Sequence, residues 1–137
     1  MRIVASISLL CLGLAGCVTV STEPQPILRI PVTGQLSNGV AAAGQATAFN
    51  NGRGEFWVKI PGGARCAGDY AVRDPNPTMV VPVMCDNGRK GQAVIARRTD
   101  LVTGTAIVRL NDGTRGQFVF GNLTFEQAFG SGRARTF

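Results

Sequence analysis

The 137 residues predict an all-β protein, an antiparallel meander of about eight strands forming a small barrel or sandwich and ending in a short C-terminal helical turn. Three observations carry that expectation. Asn38-Gly39, Asn51-Gly52, Asn87-Gly88 and Asp112-Gly113 each stand between apolar or β-branched runs, the pattern of a hairpin turn, because these residues tolerate positive φ. Asp86-Asn87-Gly88-Arg89-Lys90-Gly91-Gln92-Ala93-Val94 aligns without gaps on Asn111-Asp112-Gly113-Thr114-Arg115-Gly116-Gln117-Phe118-Val119, a turn-plus-strand unit used twice. Eighteen glycines exceed the needs of turns, and Gly34, Gly44, Gly91, Gly104 and Gly116 fall within or at the start of strands, where glycine marks bulges and sharp curvature. Curvature favours a barrel, with a two-sheet sandwich second and a single-layer ribbon third.

The elements follow in order. Strands are expected near Ile27 to Leu36, Val40 to Phe49, Glu55 to Ile60, Cys66 to Val72, Met79 to Cys85, Gln92 to Arg98, Thr105 to Leu110 and Gln117 to Gly121. Alternation supports them: Ala106, Val108 and Leu110 share one face, and Phe118 and Phe120 alternate with Gln117 and Val119. Met79 to Met84 is apolar on both faces, yet Pro82 cannot donate to a ladder and argues for an edge or a bulge. Asn122 is a candidate cap for a helical turn over Leu123 to Phe129, whose Phe125 and Phe129 share a side and would plug one end of the core.

The chain opens on Arg2 and an apolar run from Ile3 to Leu12, then Leu14-Ala15-Gly16-Cys17. A single charge, about ten apolar residues and small residues before a cut describe an export signal, too short to span a bilayer. The tetrapeptide resembles the lipobox of bacterial lipoprotein precursors. That resemblance implies loss of residues 1–16, acylation of Cys17 and anchorage in a membrane, and Val18 in place of Asp implies passage to the outer membrane of a Gram-negative envelope. Two or more acyl chains convert marginal membrane binding into stable anchoring. The domain plan is then leader 1–16, lipidated tether 17–26, one β-domain 27–129 and a flexible basic tail 130–137. Cys66-x-Gly68-x-Tyr70, Cys85-x-Asn87-Gly88-Arg89 and Phe118-x-Phe120-Gly121, taken with the lipobox, resemble small lipoproteins of Gram-negative envelopes. The likeness carries no activity with it.

With Cys11 in the leader and Cys17 lipidated, an oxidising periplasm leaves Cys66 and Cys85 for one disulfide. A metal site is the rival, weakened because the chain has no histidine and no Cys-x-x-Cys pair; neither metal nor cofactor is expected. Net charge is +6, or +5 once Arg2 is lost. Arg89, Lys90, Arg97, Arg98, Arg109 and Arg115 form a candidate anion-binding patch if adjacent hairpins align. Its partners would be anionic lipid, lipopolysaccharide or another envelope protein, whereas export removes nucleic acid as a partner.

Catalytic chemistry has little to work with: no histidine, one tyrosine and eight carboxylates. Asp74, Asp86 and Asp112 lie in expected turns, where side-chain capping explains them, and Asp69 and Glu55 are expected to pair with nearby arginines. Trp57 beside Phe56 reads as core rather than as a ligand-stacking residue. The expectation is a membrane-anchored, non-enzymatic envelope protein with a binding or structural role. The alternative is a small periplasmic inhibitor of an envelope hydrolase that presents the Asp86–Lys90 tip.

Overall fold

A computed structural model describes residues 16–17 and 23–130. The leader through Ala15, tether residues 18–22 and the tail 131–137 lie outside the described residues. Eight antiparallel strands close into one barrel in sequence order: β1 (Pro26–Leu36), β2 (Ala41–Phe49), β3 (Arg53–Lys59), β4 (Arg65–Ala71), β5 (Thr78–Cys85), β6 (Lys90–Arg97), β7 (Gly104–Leu110) and β8 (Arg115–Phe120). The barrel replaces the sandwich alternative, and each strand lies within two residues of its expected bounds.

The four Asx-Gly turns share one construction. The glycine N–H donates to the carbonyl three residues back, as in Gly39 to Leu36 at 2.8 Å and Gly113 to Leu110 at 3.1 Å. Only the glycine takes positive φ, 85° to 89° in all four, so each is a type I turn closed by a G1 bulge rather than a two-residue primed turn. Asn and Asp are there for their side chains: Asn38 Oδ1 accepts from Val40 N–H, Asn51 Oδ1 from Arg53 N–H, Asn87 Oδ1 from Arg89 N–H and Asp112 Oδ1 from Thr114 N–H. The β6–β7 turn repeats the pattern with Asp100, but Leu101 occupies the glycine position at φ 62°, a backbone region costly for a side chain.

Alternation sends one residue in two inward. Ile30, Val32, Ala46, Val58, Met79, Val81, Val83, Ala93, Ile95, Val108, Leu110 and Phe118 make the core, with Phe56, Tyr70 and Phe120 packed against it. An eight-stranded barrel is just wide enough for side chains to fill, and glycines admit the rings. Gly68 faces Phe56, and Gly54 faces Tyr70. A Cβ on Gly68 would stand 2.5 Å from the Phe56 ring and 2.6 Å from the Pro82 carbonyl oxygen. Gly68→Ala is therefore expected to lower unfolding free energy by about 2 kcal/mol in denaturant titrations, the usual cost of overpacking. The expected strand glycines Gly34, Gly44, Gly91 and Gly104 similarly bring their Cα against a backbone carbonyl of the neighbouring strand, which permits the tight coiling a small barrel requires.

One seam is incomplete. β4 and β5 pair only at Cys66↔Cys85 and Ala67↔Met84. At the end of β5 Cys85 N–H donates to Arg89, and just before β5 Pro77 C=O accepts from Arg97, both on the β6 side, while Asp86, just after β5, donates to Arg65 on the β4 side. Peptide groups alternate along a strand, so the nitrogen of Pro82 faces β4 and has no hydrogen to give. The proline terminates the ladder there and resolves the conflict posed by Met79 to Met84. Met79, Val81 and Val83 point inward while Val80, Pro82 and Met84 face outward and are exposed.

Helix α1 spans Phe125–Phe129 and is capped by Thr124, not Asn122. Thr124 Oγ1 accepts from Gln127 N–H at 3.2 Å and the Gln127 side chain accepts from Thr124 N–H at 2.9 Å, a capping box that Asn122 is too early to form. The helix does not plug the core. None of its residues is buried, Phe125 and Phe129 stack on each other at 5.0 Å, and its main contact is with β8.

Candidate functional site

Strand order defines two ends. The start of β1, the β2–β3, β4–β5 and β6–β7 connections and α1 lie at one; the β1–β2, β3–β4, β5–β6 and β7–β8 turns lie at the other. The six residues of the expected basic patch divide between them. Arg89, Lys90, Arg109 and Arg115 lie toward the second end, and Arg97 and Arg98 at the first, so adjacent hairpins do not gather them into one face.

Arg97 is not on the surface. It shares parity with Ala93 and Ile95, points into the barrel and is 6% exposed. Its Nη1 donates to Val72 C=O at 3.1 Å, and its Nη2 donates to the carbonyls of Asp74 and Asn76. The guanidinium thus holds the loop joining β4 to β5, at the end of the seam where the ladder is missing. Among the described residues its Nε is buried without a partner. Tyr70 lies near it. Burial pushes the Tyr70 phenol above its ordinary pKa and the positive charge of Arg97 only partly offsets this, so the ring stays neutral at physiological pH.

The Arg89 Nη1 donates to Asp112 at 2.9 Å and to Thr114 Oγ1 at 3.1 Å. This bond ties the two copies of the repeat together at their tips. The Thr114 backbone N–H, then Arg89, hold the Asp112 carboxyl down at about 2. A carboxyl lowered from an ordinary value of about 3.9 contributes stability fully above that value and loses it as pH falls toward the folded value. Replacing Asp112 with Asn is expected to remove this acid dependence. The stability gap between wild type and variant should be constant from pH 7 to about 4 and shrink below it, read from denaturant midpoints across pH. The Thr103 hydroxyl, with the N–H of Val102, likewise lowers Asp100.

Four other carboxylates are also engaged. Asp86 Oδ1 accepts from Arg65 N–H at 3.2 Å and Asp74 Oδ1 from Asn76 N–H at 2.9 Å. Arg53 bridges Glu55 at 2.7 Å and Asp69 at 3.2 Å; Arg73 turns instead to Asn50 C=O. Among the described residues no three of His, Cys, Asp and Glu gather where a metal could be held. Trp57 is not core: Phe56 takes the inward position, and Trp57 lies outside beneath the Arg65 guanidinium, 4.5 Å from the ring centroid.

Cys66 and Cys85 form the expected disulfide, across the short β4–β5 ladder. Tyr70, four residues on from Cys66, packs against Gly54 and Phe56. Cys17 is an exposed free thiol. The barrel interior retains a cavity of about 50 Å³, its walls apolar apart from Arg97 and the Tyr70 hydroxyl; small-molecule pockets run to about 300–1,000 Å³. Sequence reasoning missed the role of Arg97, although its even spacing from Ala93 and Ile95 was the available signal.

No protein-family model matches the chain, and neither does any curated protein or any solved structure.

Proposed function

We propose that the chain is a lipid-anchored protein of a bacterial envelope that has no catalytic task and acts through its outer surface as a binding or structural module. The observation that carries the non-catalytic part is the occupation of the acidic groups. Asp74, Asp100 and Asp112 cap turns, Asp86 accepts from Arg65 N–H on β4, and Glu55 and Asp69 share Arg53, so their lone pairs serve the fold. A cavity of about 50 Å³ has room for a few waters, which moves binding from the interior to the wall and the turns. The anchor suits the topology. Cys17 precedes the start of β1 by nine residues, a reach of at most about 30 Å, and β1 begins at the end opposite the β1–β2, β3–β4, β5–β6 and β7–β8 turns. Those turns would then point away from the bilayer.

Metabolic labelling with palmitate tests the anchor. Label in the full chain that disappears in Cys17→Ser, together with release of that variant from membranes, is expected; label that persists or never appears rejects it. A second reading, a binder of an envelope hydrolase, is favoured by the bracing of the Asp86–Lys90 tip, which has the disulfide at its base and the Arg89–Asp112 pair at its side. A rigid tip loses little entropy on docking. Asn87→Trp would abolish inhibition of such a hydrolase and leave membrane attachment intact.

A further inference from the structure

No Asp or Glu occupies any position of β5, β6, β7 or β8. The strand carboxylates are Glu55 on β3 and Asp69 on β4, both committed to Arg53. The outer wall of β5–β7 is instead apolar and basic. Val80, Val94 and Ile107 stand in one row across the three strands, and Pro82, Gln92 and Arg109 form the next. Val80 is 60% exposed, Met84 59% and Val94 41%, a contiguous ridge rather than scattered apolar residues. Beside it runs a shallow open groove of about 560 Å³, whose lining includes Gln92, Val94, Ile107 and Arg109. Strand pairing sets Arg109 directly opposite Arg115, and Lys90 pairs with Met84. Contiguous apolar exposure with a polar margin marks an interaction surface.

We infer that this wall docks a protein partner presenting apolar side chains flanked by carboxylates, an inference that deepens the binding-module reading and rests on it. Three features choose that occupant. The cations border the apolar row on the side of the β5–β6 and β7–β8 turns, so a complementary surface carries acids along one margin, and carboxylates match the planar fork of arginine. A second copy would bring one acid-free wall against another, with cation facing cation. A bilayer would meet the end where β1 begins, whereas Lys90, Arg109 and Arg115 sit toward the far end.

The test is site-specific photocrosslinking of the full chain in living cells, with p-benzoylphenylalanine at Val80 or Val94 and controls at Ala43 and Lys59 on the outer faces of β2 and β3. The expected result is a protein adduct from Val80 and Val94 but not from the controls, whose crosslinked peptide on the partner contains Asp or Glu. Arg109→Glu, with its thermal midpoint unchanged, should reduce the yield about tenfold, as loss of roughly 1.4 kcal/mol of complementarity requires. Adducts to lipid alone, to a second copy, to a peptide without carboxylates or equally from the controls overturn the inference, as does no adduct. Palmitate labelling in the same cells keeps the two claims apart. A labelled, membrane-bound chain without wall adducts rejects the wall and spares the anchor; adducts from an unlabelled chain do the reverse.

Discussion

Arg97→Met lowers the unfolding free energy by about 3 kcal/mol. Three carbonyls, of Val72, Asp74 and Asn76, lose a charged donor. Hydrogen bonds to charged groups contribute about 1.5–3 kcal/mol each. The net is smaller than their sum for two reasons. Asn76 is exposed, so water replaces part of what is lost there, and methionine relieves the orphaned Nε of its desolvation cost. Arg97→Lys should recover only a fraction, because a single ammonium cannot span three acceptors as the planar guanidinium does. Urea titration of both variants checks this. A methionine variant within about 0.5 kcal/mol of wild type, the range of ordinary surface substitutions, would show that the loop needs no guanidinium.

Removing the disulfide has an effect of the same size, located at the other end of the same seam. Cys66 and Cys85 are 19 residues apart, and opening a loop of that length costs about 3 kcal/mol in the chain-entropy account. The position adds a local consequence. Below Ala67↔Met84, Pro82 withholds the next ladder bond, so the bridge holds one end of a seam that Arg97 holds at the other. Cys66→Ala with Cys85→Ala should therefore accelerate amide exchange first at Ala67 and Met84, the ladder pair beside the bridge. Combined with Arg97→Met, it should depart from additivity by more than about 0.5 kcal/mol, although separated sites usually add within that margin. Strict additivity, or exchange that rises uniformly around the barrel, would mean that the seam does not open as a unit.

Much of the architecture was legible because it is written in short-range chemistry. An Asx side chain two residues before its donor and a glycine one step on form a turn whatever the rest of the chain does, and four such turns announced the meander. Alternation placed Val108, Leu110 and Phe118 inside for an equally local reason: successive side chains on a strand leave opposite faces. The Thr124 cap was within reach too, since Gln127 stands three residues later, the spacing of a capping box. Arg97 was misassigned to a surface patch because composition groups arginines by charge, whereas strand parity separates them by face.

About eight strands, their turns and the phase of strands such as β7 and β8 were set by local patterns, since each depends on residues within a few positions of one another. Tertiary structure alone decided that β1 closes on β8 and which residues face one another across each pair. Between β4 and β5 one proline interrupts the ladder, and one buried guanidinium holds the loop beyond it. The registers of β5 to β7 align Val80, Val94 and Ile107 in one row, on a wall without carboxylates built from strands that are individually unremarkable in charge. Contacts between residues far apart in the chain depend on barrel register, and no local pattern encodes which distant neighbour a side chain will face.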